Sequence, residues 1–188
     1  VFSELMDSGH SLELTIVSNL SFGDYASKST EKDRGWALEL ISKYPKHIKL
    51  YQNIPNTQVL GLIRDSHVGL LPTYADTYGY SVLEMQALAC PVITTDVRAL
   101  SEINSNEKGW VIEVPKDRFS EGLYTSEKER AQLSAIIKTD LTRIIKDIIE
   151  DPQQIIQKGE KALNQLSELN DPQKNADFYF KIYQKALD

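Results

Sequence analysis

The run Leu71-Pro72-Thr73-Tyr74-Ala75-Asp76-Thr77-Tyr78-Gly79-Tyr80-Ser81-Val82-Leu83-Glu84 passes from a short apolar stretch, through a polar loop with one glycine, into a helical pattern. A helix start exposes unpaired backbone N–H groups and the positive end of the helix dipole. Gly79 lets the backbone come close to a ligand. Together they make an anion site suited to phosphate or diphosphate, with donors at the amides of Gly79, Tyr80, Ser81 and Val82. A carboxylate at Glu84, in the first turns of the same helix, suits ribose hydroxyls, and Asp76, just before it, suits a sugar hydroxyl. From spacing alone two plainer readings stay open. Glu84 can be a surface residue that complements the dipole, and Asp76 can be a turn cap.

Working outward, Val68-Gly69-Leu70-Leu71 has four companions that read as strands: Leu12-Glu13-Leu14-Thr15-Ile16-Val17, Ile48-Lys49-Leu50-Tyr51, Pro91-Val92-Ile93-Thr94 and, more weakly, Gly109-Trp110-Val111-Ile112. Helical spacing lies between them. Trp36, Leu38, Leu40 and Ile41 form one pattern. Val59, Leu60, Leu62 and Ile63 form a second, with Asn56 as its expected cap. Val82, Leu83, Ala87 and Leu88 form a third. Such alternation predicts an α/β fold, a Rossmann-like parallel sheet with helices on both faces. Runs apolar on both faces, such as Val68–Leu71, fit strands covered on two sides. The polar stretch Ser18–Arg34 and the loop after Leu71 both sit at carboxyl ends of strands, where open sheets bind ligands.

Beyond residue 125 the spacing becomes purely helical. Leu133, Ile136, Ile137, Leu141, Ile144, Ile145, Ile148 and Ile149 form one long pattern. Asp151-Pro152 ends it, Ile155 to Leu166 carries a second, and Asp171-Pro172 opens a last one with Phe178, Tyr179, Ile182, Tyr183 and Leu187. The expected organisation is a Rossmann-like core over 1–125, with a charged surface loop across Glu113–Glu129, and an all-helical tail over 126–188.

Composition bounds the function. Of 188 residues, 41% are hydrophobic and 26% charged, as in soluble globular proteins. The net charge of −6 weighs against nucleic acid as a partner. The single cysteine, Cys90, excludes an internal disulfide and a multi-cysteine metal site, and is expected to be a small buried residue. His10, His47 and His67 show no ligand spacing, so no metal is expected. Trp36 and Trp110 read as core or helix-face residues. No run approaches the ~18–20 apolar residues of a membrane span. The chain starts at Val1 without a signal-peptide pattern, and the missing Met points to processing or truncation. Neither a Gly-x-Gly-x-x-Gly nor a P-loop occurs.

Asp76-x7-Glu84, Tyr78-Gly79 within it, the following Pro91-Val92-Ile93-Thr94-Thr95-Asp96 and then Glu102 resemble the donor-binding half of GT-B glycosyltransferases, most closely the retaining family 4 (group 1). That family has a Glu-x7-Glu motif enclosing Phe-Gly, then a Gly-x-Pro-Val-Ile strand and a later glutamate. The resemblance runs from about Leu12 to Ile112. It departs at four places. Asp76 replaces the first glutamate and is one methylene shorter. Ala89 and Asn53 stand where glycines are usual, and Arg98-Ala99 replaces a Gly-Gly pair. A non-glycine residue at a left-handed position costs about 1 kcal/mol or more.

The resemblance implies glycosyl transfer from a nucleotide-diphosphate sugar to an acceptor hydroxyl with retained anomeric configuration, in polysaccharide or glycoconjugate synthesis, with no cofactor. It makes Asp76 and Glu84 the catalytic pair and Gly79, Tyr80, Ser81 and Val82 the diphosphate cradle. Glu84, Asn53 and Ile54 would bind the nucleoside, with secondary roles for Thr73, Tyr78, Arg98 and Glu102. Tyr74, Tyr78 and Tyr80 would stack on a sugar or pack their loop. It also implies an acceptor-binding N-terminal domain, and a first donor-domain strand whose loop supplies Arg and Lys, both upstream of Val1. Lys28, Lys32 and Arg34 are the local substitutes for that charge. The isolated domain is expected to be inactive, its last helix to brace the upstream domain or self-associate, and its setting to be cytoplasmic or peripheral to the inner membrane. A GT-B epimerase or phosphorylase and a flavodoxin-like interaction module are the alternatives. The first two lack their characteristic residues here. The strand ends Ser18-Asn19 and Pro72-Thr73 lack the acidic residues of a receiver.

Overall fold

The computed structural model describes residues 1–169 and 171–187. Strands and helices alternate as α1 (Phe2–Asp7), β1 (Leu14–Val17), α2 (Glu31–Lys43), β2 (Ile48–Tyr51), α3 (Asn56–Arg64), β3 (Gly69–Leu71), α4 (Tyr80–Ala87), β4 (Val92–Thr95), α5 (Leu100–Ile103) and β5 (Trp110–Ile112). Three long helices follow, α6 (Glu127–Glu150), α7 (Gln153–Leu169) and α8 (Pro172–Leu187). The α/β class, the parallel strands and the helical tail agree with the sequence. Residues 170 and 188 of the expected 126–188 segment lie outside the described residues.

All named strand pairs are parallel, but they form two sheets rather than one. β1 pairs with β2 in the register Leu14↔Ile48, and β3–β4–β5 form the second sheet, with Gly69↔Val92 and Ile93↔Trp110.

The main core lies around the second sheet. Val92 and Ile93 of β4, Val82 of α4, Leu100 of α5, Ile112 of β5 and Leu133, Ile137, Ile144 and Ile148 of α6 form one buried cluster. Beneath it Gln86 donates to the Ile103 carbonyl at 2.8 Å, and Asn104 donates to the Val92 carbonyl and the Thr94 hydroxyl, both at 3.0 Å. The Gln86 side-chain oxygen, by contrast, is buried without a hydrogen-bond partner. This network fixes the rotation of α4 about its axis, and with it the direction in which Glu84 points. The first sheet is more thinly covered. No residue of α2 is buried, and Trp36 on it is 65% exposed. The apolar spacing of α2 therefore marks a helix face and not a core stripe. Leu70, expected to be covered on both sides, is exposed on the open side of β3. Trp110 and Cys90 are buried, and burial pushes the Cys90 thiol up to about 11.

One region differs from its expected form. The stretch before α6 carries an antiparallel bridge, Lys116↔Gly122, and so is not wholly irregular. On α8, Phe178, Tyr179, Phe180, Ile182 and Tyr183 are all exposed, with Tyr183 at 67%. Among the described residues no helix is long and apolar enough to cross a membrane.

Candidate functional site

The residues singled out in the sequence lie on the loops that follow β1, β2, β3 and β4 or on the helices those loops lead into. After β3 the chain enters α4 through Gly79, which serves as N-cap with φ +81 and ψ +43. Glycine is required there twice over. The backbone is left-handed, and a Cβ would lie 2.5 Å from Leu100 Cδ2. A glycine N-cap offers no side chain to the helix, and none caps it. The amides of Gly79, Tyr80 and Ser81 have no intramolecular acceptor among the described residues. Val82 departs from expectation, since its N–H donates to the Gly79 carbonyl at 2.9 Å. Three of the four expected amides, those of Gly79, Tyr80 and Ser81, are thus free of an intramolecular acceptor among the described residues.

Asp76 takes the plainer of its two readings in this geometry. Its Oδ1 accepts from the Tyr78 amide at 2.9 Å, which shapes the turn into Gly79. The second oxygen remains for a ligand. Thr73 is also structural. Its hydroxyl donates to the Ala75 carbonyl at 2.7 Å, and its own carbonyl accepts from the Thr95 hydroxyl at 2.7 Å. Tyr78 and Tyr80 pack on each other, with ring centroids 5.1 Å apart, and Tyr80 is 74% exposed at the helix start. Tyr74 instead meets the Ser134 hydroxyl of α6.

Glu84 is half-buried, and its Oε1 accepts from the Asn56 side-chain amide at 3.0 Å. This bond joins the starts of α3 and α4. Asn56 was expected to cap α3, but Pro55 is the N-cap and no side chain caps that helix. The strip before it ends β2. Asn53 is left-handed, with φ +53, and accepts from Asn19 at 3.0 Å across the two strand ends. Ile54 is half-buried beside it. Asn53, Ile54, Asn56 and Glu84 thus lie along one line from the end of β2 to the first turns of α4.

Other expected members do not join. Arg98 pairs with Glu121, which holds its guanidinium charge more firmly than usual and ties it up. Glu102 is exposed on the short α5, and Lys28, Lys32 and Arg34 are exposed on and after the β1–α2 loop. A cleft of about 460 Å³ opens between residues 24–27 and 72–75, and of the expected site residues Thr73 and Tyr74 line it. Its other wall, the turn in which Asp24 accepts from the Ala26 and Ser27 amides, is a feature that the sequence reading treated only as polar loop. The spacing Asp24-x2-Ser27-x-Ser29 was the available sign of that Asx turn. Among the described residues no group of three or more His, Cys, Asp or Glu is gathered as a metal set.

Parallel strands flanked by helices, with uncapped helix starts at the strands' carboxyl ends, define an open α/β domain. The family described as Glycosyl transferases group 1 matches residues 10–143, and the chain belongs to that family. No curated protein matches it. Among solved structures, the sucrose-phosphate synthase from Thermosynechococcus elongatus superposes with a TM-score of 0.62 at 17% identity, over 99% of this chain and 41% of that one. Anabaena Alr3699/HepE, solved in complex with UDP, gives 0.54 at 15% identity, over 95% of this chain and 52% of that one. The C-terminal domain of the group 1 protein LpcC from Francisella tularensis gives 0.52 at 18%, over 75% and 65%. The chain thus spans between two fifths and two thirds of these proteins, and the likeness is one of fold.

Proposed function

We propose that this chain is the donor-binding half of a retaining glycosyltransferase, which moves a hexosyl group from a nucleotide-diphosphate sugar to an acceptor hydroxyl in polysaccharide or glycoconjugate synthesis. The observation that carries the reading is the joined pair of uncapped helix starts, α3 and α4, with Glu84 bridging them. The diphosphate lies on the Gly79, Tyr80 and Ser81 amides. Negative charge builds on it as the glycosyl bond breaks, and preorganised donors of this kind are worth ~3–4 kcal/mol each. Glu84 takes the ribose, and the strip at Asn53 and Ile54 takes the base through its backbone. Asp76 keeps one carboxylate oxygen for the donor sugar. The departing phosphate receives the acceptor proton.

The rest of the machinery belongs to chain outside these residues. A parallel strand between β1 and β3 would complete the sheet, and its loop would bring the cations that Arg98, held by Glu121, does not supply. The aromatic face of α8 would brace an acceptor-binding domain, and without that domain the chain is inactive and self-associates. A cytoplasmic setting, peripheral to the inner membrane through the parent protein, completes the reading.

Saturation-transfer NMR with UDP-, GDP- and ADP-sugars tests it. One nucleotide sugar should show transfer to its ribose protons, and Glu84→Ala should abolish that signal while leaving the thermal transition in place. Equal transfer in mutant and wild type would remove Glu84 from the site, and no transfer from any of the three would remove the donor reading.

A further inference from the structure

The Asn56–Glu84 contact does more than link two helices. A glutamate side chain has three rotatable bonds, so an unrestrained carboxylate samples many directions. Here one oxygen, Oε1, is held by the Asn56 amide at 3.0 Å. Among the described residues that is the one hydrogen bond the Glu84 carboxylate receives, so Oε2 stays open. The donor is neutral, so the carboxylate keeps its charge and its acceptor strength. Asn56 is itself fixed. It is the first residue of α3, it follows Pro55, and the preceding strip is pinned by the Asn19–Asn53 amide pair at 3.0 Å.

We infer that Asn56 is a positioning residue that aims the open oxygen of Glu84 at a single ribose hydroxyl, and that this aim lets the site select ribonucleotides over deoxyribonucleotides. The inference rests on the reading of Glu84 as the ribose acceptor. The Asn56 bond takes one lone pair of Oε1 and fixes the plane of the carboxylate. Oε2 is therefore presented to one hydroxyl of the vicinal diol in a fixed direction. Both side chains face water in the free protein, where the bond is weak. A bound nucleoside covers it, and hydrogen bonds to a charged group strengthen once water is excluded.

The test uses the natural protein that carries this chain. Calorimetry gives the Kd of whichever of UDP, GDP and ADP binds, and of its 2′,3′-dideoxy counterpart. Wild type should prefer the ribonucleotide by about tenfold, the size of one charge-assisted hydrogen bond. Asn56→Ala should shrink that preference to about two- or threefold, with dideoxy affinity unchanged, because the lost interaction involves the hydroxyl alone. Asn56→Asp, which sets a second carboxylate against Glu84, should remove the preference. An unchanged ratio in Asn56→Ala, or an equal loss for both nucleotides, would overturn the positioning role. A wild type that binds both forms equally would overturn it and leave the nucleotide site standing. A wild type that binds none of the three nucleotides would overturn the donor reading as well.

Discussion

The helix starts of this chain are built in two opposite ways. At α2, Thr30 accepts from the Asp33 amide while Asp33 accepts from the Thr30 amide at 2.7 Å, and at α6 Ser126 and Glu129 do the same, with Glu129 accepting at 2.8 Å. These are complete capping boxes, which satisfy donors that a helix start otherwise leaves open. At α3 and α4 the N-caps are Pro55 and Gly79, and neither supplies a side-chain acceptor. α1 and α5 also start without a side-chain cap. Of the uncapped starts, those of α3 and α4 meet at the Glu84–Asn56 bond, whereas the boxes at α2 and α6 bond only to themselves and near neighbours. A cap is worth about 1 kcal/mol. Leaving two helices without one makes sense where a ligand is to provide the acceptor.

The sharpest way to break this contrast is at Gly79. Gly79→Ala puts a Cβ 2.5 Å from Leu100 Cδ2 and 3.0 Å from Ile103 Cδ1, on a backbone with φ +81. Left-handed strain and overpacking together should lower stability by about 3 kcal/mol. The loss will appear in urea unfolding, and nucleotide affinity should fall with it because the three free amides move. A smaller change tests the other side. Ser126→Ala removes one hydroxyl of the α6 box and should cost about 1 kcal/mol. Titration with the nucleotide that binds should give the same Kd as wild type. A changed Kd would mean that the boxes are not separate from the site.

Much of this contrast could be read from the sequence, and the rest could not, for physical reasons. Gly79 ahead of an apolar helical run located α4. Ser126-x-x-Glu129 is a capping box by spacing alone. Asn56 misled, because asparagine at a helix start usually caps. Its actual partner is 28 residues away, and no local pattern reports that. Ala89 misled in the opposite direction. It has φ +56, and its amide and that of Cys90 close on the Gln86 and Met85 carbonyls at 3.1 and 3.0 Å. That is the geometry of a Schellman ending, with alanine where glycine is usual. Arg98 and Asn53 likewise keep positive φ without glycine. The backbone of the family persists at these places although the residue that normally permits it has gone. The division of the strands into two sheets was the least legible feature. A strand's apolar pattern says that it is covered, and not which neighbour lies beside it.

Acid should separate the two kinds of helix start most finely. Thr125, then the Ser126 amide and hydroxyl, donate hydrogen bonds to the Glu129 carboxylate and hold its pKa below the ordinary value; the Thr30 hydroxyl and amide do the same for Asp33. A carboxylate depressed in the folded state contributes stability above its unfolded pKa, and that contribution is lost as the pH falls through the folded value. Both groups are exposed, so the loss is local. Amide chemical shifts followed from neutrality down through the carboxylate range should therefore show the first turns of α2 and α6 loosening together. Their midpoints should lie below that of an unperturbed carboxylate. The Tyr80 and Ser81 amides have no carboxylate acceptor and should not move with them. Transitions at Tyr80 and Ser81 with the same midpoint as Glu129 would show that one event opens all four helix starts, and the division between capped and ligand-ready helices would not hold.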